Sequence, residues 1–186
     1  MTEKSTRRGS YTRLVNSSLL ILTGASGAGK TTLARAIQAS LPNCEVLFFD
    51  SIGVPSAGVM ATYDGDYGAG GGWQRAMTIQ WMQRIAPLLK SGNKILFEGQ
   101  MRIAFIEEAI AATGITDAHI VLVDCSDAVR TTRLTHDRHQ PGLANEKMMN
   151  WGNFLREEAK QKGYEILDTG SIPSKRIVDH LIQYLR

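Results

Sequence analysis

An eight-residue run near the start of the chain carries the residue types needed to hold a phosphate group. It is Gly24-Ala25-Ser26-Gly27-Ala28-Gly29-Lys30-Thr31 and fits the pattern G-x-x-x-x-G-K-[ST]. Small residues allow consecutive backbone N–H groups to wrap around phosphate oxygens without obstruction by side chains. A helix that begins near Gly29 directs its positive end at the same point. The sequence therefore predicts that Gly24–Thr31 binds the phosphates of ATP or GTP.

The last residues of this loop have separate predicted roles. Lys30 is expected to reach the β- and γ-phosphates and to assist catalysis, and the hydroxyl of Thr31 is expected to bind Mg²⁺. Thr32 is assigned to the helix start beside the nucleotide rather than to the metal. A dinucleotide-binding loop, G-x-G-x-x-G, is the nearest alternative, but Lys30-Thr31-Thr32 follows Gly27-Ala28-Gly29, so the third glycine is missing.

Short apolar runs alternate with helical periodicity along the rest of the chain. The predicted strands are 19–23, 45–49, 94–97, 119–123 and 164–167, and the predicted helices are 30–41, 73–89, 103–112, 127–135, 145–162 and 174–185. This alternation predicts an α/β fold with a parallel sheet covered on both faces. Ligands of such sheets bind beyond the carboxyl ends of the strands. Gly24, Asp50, Glu98 and Asp124 are expected at those ends.

Composition and charge are typical of a globular protein with a basic N-terminal segment. The chain has 186 residues, 43% of them hydrophobic and 21% charged, which is ordinary for one globular domain. Residues 1–13 carry four bases and one acid, which equals the whole net charge of +3, so a flexible basic tail is predicted at 1–16. Cys44 and Cys125 are predicted to be buried thiols. No apolar run is long enough to span a bilayer and no signal peptide is recognised, so a cytoplasmic location is expected.

The loop, an acid after the second strand, Glu98-Gly99 after the third and an arginine-bearing segment after the fourth together resemble the small P-loop kinases. These include adenylate, shikimate and gluconate kinases, chloramphenicol phosphotransferase and zeta toxins. The resemblance covers about residues 18–186, and a single domain is predicted at 17–186. It implies a three-layer fold with a five-stranded parallel sheet of order 2-3-1-4-5, and transfer of a γ-phosphate to a small acceptor.

The resemblance also suggests residues for the acceptor side. Asp50 matches the aspartate that looks like a catalytic base for the acceptor hydroxyl in zeta toxins and chloramphenicol phosphotransferase. Glu98-Gly99-Gln100-Met101-Arg102 is similar to the Glu-Gly-x-x-Arg stretch of zeta toxins. This similarity implies that Glu98 binds the acceptor, or Mg²⁺ through water, and that Arg102 binds an anionic group. Strand-end capping by Asp50 and Glu98, and a surface position for Arg102, are the structural alternatives.

A short lid is expected at 130–143. Arg130, Arg133 and Arg138 fall where these kinases carry their lid. By resemblance, Arg133 lies near the nucleotide base or phosphates, and Arg138 neutralises charge on the transferred group. Arg138 is one residue further along than in adenylate kinases, so the individual roles stay open. The loop 168–173 resembles the one that packs beside adenine.

Residues 51–90 take the position of the acceptor-binding segment. The segment contains Tyr63, Asp64, Asp66, Tyr67 and Trp73 among many glycines, and it has no arginine cluster suited to a nucleoside monophosphate. A small molecule is therefore the expected partner, phosphorylated on a hydroxyl or a phosphate. No oligomeric state is predicted.

Two other functions remain open. A regulatory P-loop ATPase would use the same loop without an acceptor, and a toxin-like or nucleic-acid end kinase would give the basic tail a purpose, although nucleic acid is the less favoured partner. ATP is favoured over GTP because the chain lacks an N/T-K-x-D guanine motif.

Overall fold

A computed structural model describes residues 18–186 apart from 64, 66 and 69. The predicted tail and both acids of the acceptor segment, Asp64 and Asp66, therefore lie outside the described residues. The strands are β1 (Leu19–Thr23), β2 (Cys44–Phe48), β3 (Lys94–Glu98), β4 (Ala118–Asp124) and β5 (Glu165–Asp168). The helices are α1 (Lys30–Ser40), α2 (Ala57–Met60), α3 (Gly71–Lys90), α4 (Ile103–Thr113), α5 (Asp127–Thr132), α6 (Glu146–Lys162) and α7 (Ser174–Ile182).

The five strands form one parallel sheet in the order β2-β3-β1-β4-β5, which confirms the predicted fold. β1 lies at the centre, paired with β3 on one side and β4 on the other. The predicted strand ends are confirmed for Glu98 and Asp124, which are the last residues of β3 and β4. Gly24 directly follows β1, so the loop at 24–31 begins at the carboxyl end of the central strand.

Both faces of the sheet are buried, which explains the continuous apolar runs of its strands. In β1, Leu20 and Leu22 face one side and Leu19 and Ile21 face the other, all without exposed surface. The cluster on the side of α1 and α7 includes Leu20, Leu22, Leu33, Ile37, Leu96, Val121, Ile177 and Leu181. The cluster on the side of α3 and α4 includes Leu19, Ile21, Trp81, Met82, Ile85, Ile95, Phe97 and Ile106. A smaller cluster lies under α6 and contains Ile103, Leu122, Leu155 and Ala159.

Several element boundaries differ from the sequence prediction. The second strand ends at Phe48, and Phe49 begins a 3-10 turn that runs to Ile52. Phe49 turns inward because its ring packs against Trp73 and Phe97, and because the Trp81 indole N–H donates to its carbonyl at 3.1 Å. The short helix α2 was not predicted, since the glycine-rich region around it has no periodicity. Cys44 and Cys125 are buried free thiols, as predicted.

None of the helices in the described part of the chain is both long and apolar enough to cross a membrane.

Gly99 is a packing constraint of the turn that follows β3. A Cβ atom at this position would lie 2.4 Å from Cβ of Phe49, closer than van der Waals contact allows. Gly99 therefore lets the residues after β3 lie directly against the aromatic cluster. By contrast, a Cβ at Gly142 would meet no atom within 4 Å.

We predict that Gly99→Ala lowers the free energy of unfolding by about 1–3 kcal/mol, because Phe49 must shift away from a buried contact. Urea unfolding followed by tryptophan fluorescence measures the loss. Gly142→Ala is the matched control and should stay within about 0.5 kcal/mol of the parent protein. Equal urea midpoints for the two variants would contradict this account.

Candidate functional site

The loop at 24–31 has the backbone of an anion cradle. Gly24 and Gly29 have φ angles of 149° and 97°, which side-chain-bearing residues rarely adopt. A Cβ at Gly24 would also lie 2.1 Å from the Val123 carbonyl oxygen. Gly29 is the N-cap of α1, whose first residue is Lys30. The free N–H groups of that helix end and its dipole therefore point into the cradle, where they favour a negatively charged group.

Lys30 lies inside the loop with 8% of its surface exposed. Its ammonium donates to the carbonyl of Ala25 at 3.2 Å, so the lysine side chain folds back onto the loop that contains it. Burial lowers the pKa of Lys30 to about 8, an effect that the nearby carboxylates of Glu98 and Asp50 partly oppose. The lysine is held in a position where a phosphate would restore the charged form.

Thr31 and Glu98 form the pair of oxygen groups beside Lys30. The Thr31 hydroxyl donates to Oε1 of Glu98 at 2.8 Å, and Glu98 is 7% exposed. Magnesium prefers oxygen ligands and keeps several of its waters, so one or two protein oxygens plus phosphate oxygens are enough to hold it. These two side chains fit such an ion: Thr31 would hold it directly, and Glu98 directly or through water.

Two clefts meet at the loop. One has a volume of about 350 Å³ and is lined on its far side by Asp50, Gln74, Glu98 and Gln100, together with Phe49, Val54, Met60 and Trp73. The other has a volume of about 480 Å³ and is lined by Gly27, Gly29, Thr32, Arg35, Arg133, Asp137, Thr169 and Ser174 among others. Lys30, Thr31 and Arg138 line both clefts. The first is called the acid-lined cleft below, and the second the loop-side cleft.

The acid-lined cleft contains Asp50 and Glu98, both predicted from the sequence as acceptor-side residues. Asp50 is exposed and lies in the 3-10 turn after β2. Ser26 of the loop reaches the same cleft and donates to Oε1 of Gln100 at 3.2 Å. Other residues predicted to bind the nucleotide lie elsewhere: Ala25 and Ala28 are buried under the cradle, and Thr32 lines the loop-side cleft.

Sequence reasoning missed two residues of this cleft, Gln74 and Gln100. The Gln74 side chain donates to the Gln100 carbonyl at 2.7 Å and accepts from the Arg102 backbone N–H at 3.1 Å. Gln100 occupies the first unspecified position of the Glu-Gly-x-x-Arg pattern, so its place next to Glu98-Gly99 was the available signal. Gln74 carries no comparable signal, because only the packing of α3 brings it to the turn after β3.

Arg133 and Arg138 lie at the loop-side cleft, where the resemblance suggested them. Arg133 donates to the Thr169 hydroxyl at 2.7 Å and to the Gly27 carbonyl at 3.3 Å, so it ties the loop to the segment after β5. The Arg138 side chain is exposed and makes no hydrogen bond or ion pair within the residues that the structure describes. Arg138 follows a π-helical turn, Arg133–Asp137, and its N–H donates to the Arg133 carbonyl. Such turns often occur at functional sites.

Arg130 requires a correction to the predicted lid at 130–143. It has no exposed surface, and its guanidinium pairs with Asp124 at 2.7 Å and donates to the Ser26 carbonyl at 2.8 Å. Arg156 from α6 binds the second oxygen of Asp124 at 2.5 Å. Arg130 therefore supports the phosphate loop from beneath, and the continuously exposed part of the predicted lid is 136–143.

Arg102, which the sequence predicts to bind an anionic group, is engaged by protein groups in this structure. Its guanidinium donates to the Tyr67 carbonyl at 2.5 Å and lies within 5.0–5.8 Å of the ring centres of Phe105, Trp151 and Phe154. It is absent from the lining of both clefts. The guanidinium makes cation–π contacts because aromatic residues of α4 and α6 converge beside it.

No family model matches the chain. A nucleotide-binding protein of Rhodospirillum rubrum is 24% identical over 168 residues, which cover 86% of this chain but only 45% of that protein. Shikimate kinase from Acinetobacter baumannii, solved with shikimate, superposes with a TM-score of 0.59 at 16% identity, covering 89% of this chain and 90% of its own. A sugar kinase from Janibacter superposes with a TM-score of 0.61 at 16% identity, covering 90% of this chain and 93% of its own. The chain therefore has the fold of the small P-loop kinases.

We predict that Arg130→Ala lowers the free energy of unfolding by about 3 kcal/mol, because it leaves the Asp124 carboxylate with one partner fewer and the Ser26 carbonyl with none from this side chain. Urea unfolding measures the change. Arg176→Ala on the exposed face of α7 is the control and should change the free energy by less than about 0.5 kcal/mol. Equal losses in the two variants would show that Arg130 does not support the loop.

The lowered pKa of Lys30 predicts a pH dependence of phosphate binding. Above pH 8 the free protein increasingly carries a neutral lysine, whereas a bound phosphate favours the ammonium, so binding must take up a proton. Affinity for Mg·ATP should fall about tenfold between pH 7 and pH 9. Titration calorimetry in buffers of different ionisation enthalpy measures both affinity and proton uptake. Lys30→Met should bind more weakly with a flat profile, and a flat profile in the parent protein would contradict the prediction.

Proposed function

We propose that the chain is an ATP-dependent kinase that transfers the γ-phosphoryl group to a hydroxyl of a small-molecule acceptor. The observation that carries this proposal is the junction of two clefts at Lys30, Thr31 and Arg138. A nucleotide in the loop-side cleft would present its terminal phosphate to whatever occupies the acid-lined cleft. A protein that only binds or hydrolyses nucleotide has no need for the second cleft.

The roles of the residues follow from the chemistry of phosphoryl transfer. The loop N–H groups and Lys30 would hold the phosphates, and Thr31 with Glu98 would hold Mg²⁺, which when bound neutralises phosphate charge. Asp50 would accept the proton of the acceptor hydroxyl as the oxygen–phosphorus bond forms and the bond to ADP breaks. Arg138, whose side chain has no partner among the described residues, would stabilise charge on the transferred group.

The comparisons support this proposal at the level of the fold. Two of the solved structures with this fold are a shikimate kinase and a sugar kinase, which are enzymes of hydroxyl-bearing small molecules by name. Their sequence identity is too low to carry an acceptor across to this chain. This chain's own Asp50 and Glu98 line the second cleft, and Asp50 would be the base.

A second candidate is a regulatory P-loop ATPase. The Rhodospirillum rubrum relative is described only as nucleotide-binding, and the present chain spans less than half its length. Acceptor-stimulated release of ADP separates the two functions, because an ATPase turns over at the same rate whether or not an acceptor is present.

We predict that Asp50→Asn lowers kcat for acceptor phosphorylation by about 10²- to 10⁴-fold while the affinity for Mg·ATP stays unchanged, because only the proton acceptor is lost. ADP release is measured across sugars, nucleosides, nucleotides, antibiotics and short RNAs, with Lys30→Ala as the inactive blank. Asp127→Asn, on an exposed helix start away from both clefts, is the matched control and should retain full turnover. Full activity in Asp50→Asn would return Asp50 to a structural role.

A further inference from the structure

The charges around the acid-lined cleft are unevenly distributed. Its cations, Lys30 and Arg138, both lie at the junction with the loop-side cleft. The lining residues that belong to the acid-lined cleft alone include two carboxylates, Asp50 and Glu98, and no lysine or arginine. Beyond the junction, the charged groups of the described lining are therefore all carboxylates.

The arginines of α3 and of the turn after β3 are engaged outside this cleft. Arg75 forms an ion pair with Glu108 and lies over the ring of Tyr67. Arg84 lies over the ring of Trp81, and Arg102 is held by the Tyr67 carbonyl and three aromatic rings. None of the three lines the cleft. A side-chain rotation of Arg102 towards the cleft would forfeit those contacts, so these arginines are not a reserve for binding an anion.

Two amides complete the polar lining. Gln74 is fixed by its hydrogen bonds to the Gln100 carbonyl and the Arg102 N–H. Gln100 accepts from Ser26 through Oε1, which leaves its amide N–H groups as donors towards the cleft. Amides and carboxylates are suitable partners for hydroxyl and ammonium groups, because together they supply both donors and acceptors.

From this arrangement we propose that the acceptor is a hydroxyl-bearing compound that is uncharged or carries an amine, and that compounds with a carboxylate or phosphate are poor acceptors. The inference rests on the proposed kinase function and deepens it. A carboxylate in this cleft would lose water beside Asp50 without gaining a cation from the described lining beyond the junction, which penalises its binding. The proposed function assigns Lys30 and Arg138 to the phosphates of the nucleotide, so neither is available to pair with the acceptor.

The test uses acceptors matched in skeleton and different in charge. Glucose, glucosamine, glucuronate and glucose 6-phosphate form one set, and nucleosides with their monophosphates, aminocyclitols, shikimate and gluconate extend it. ADP release is measured with Mg·ATP, and Lys30→Ala supplies the blank. We expect the best kcat/KM from an uncharged or amine-bearing compound, at least tenfold above its carboxylate or phosphate partner.

A carboxylate or phosphate compound as the best acceptor would overturn the inference and leave the kinase function standing. No rise above the blank with any compound would remove the kinase function itself, and the inference would fall with it. The two failures are therefore distinguishable.

A charge variant tests the same idea from the side of the protein. Val54 lines the cleft with 58% of its surface exposed, and Val59 is 49% exposed and lies outside the lining. Val54→Arg should raise kcat/KM for the anionic member of a matched pair several-fold relative to the uncharged member, and Val59→Arg should leave that ratio unchanged. An unchanged ratio in Val54→Arg, or equal shifts in both variants, would count against a charge-selective cleft.

Discussion

The phosphate loop depends on a buried guanidinium. Arg130 has no exposed surface, and it joins the Asp124 carboxylate at the end of β4 to the Ser26 carbonyl of the loop. Burying such a charge is costly unless it is paired and hydrogen-bonded, and Arg130 has both kinds of partner. The loop is consequently attached to the sheet at a point that its glycines alone could not hold. Its N–H groups stay directed at the cradle because its inner carbonyl is already bound.

The four arginines around this site have different structural environments. Arg130 is buried beneath the loop, Arg133 ties the loop to Thr169, and Arg102 is enclosed by aromatic rings away from the clefts. Arg138 alone of these four lies exposed at the junction of the clefts. An exposed guanidinium on a short irregular segment can move towards a ligand at little cost, whereas the other three would have to break protein contacts first.

The two clefts are coupled through short hydrogen bonds between the loop and the turn after β3. Thr31 donates to Glu98 and Ser26 donates to Gln100, so each side of the loop has a partner on β3 or just beyond it. Thr23, at the end of β1, also bridges the N–H and carbonyl of Met101. Movement of the loop on binding a phosphate would therefore shift Glu98 and Gln100, which line the acid-lined cleft. This arrangement depends on β1 and β3 being neighbours in a parallel sheet.

The sequence by itself determined the loop and the sheet. The glycine spacing, Lys30 and Thr31 predicted the cradle, and the continuous apolar runs predicted a doubly covered parallel sheet, because both signals lie in contiguous residues. Polar residues after β2 and β3, Asp50 and Glu98, followed from the rule that ligands bind beyond strand ends. Only the tertiary structure decided which arginines were free: Arg130 meets Ser26 across 104 positions of sequence, and Arg102 meets aromatic rings of α6. The environment of a long cationic side chain is set by elements distant in the chain, so its residue type and local spacing do not reveal whether it supports the fold or faces a ligand.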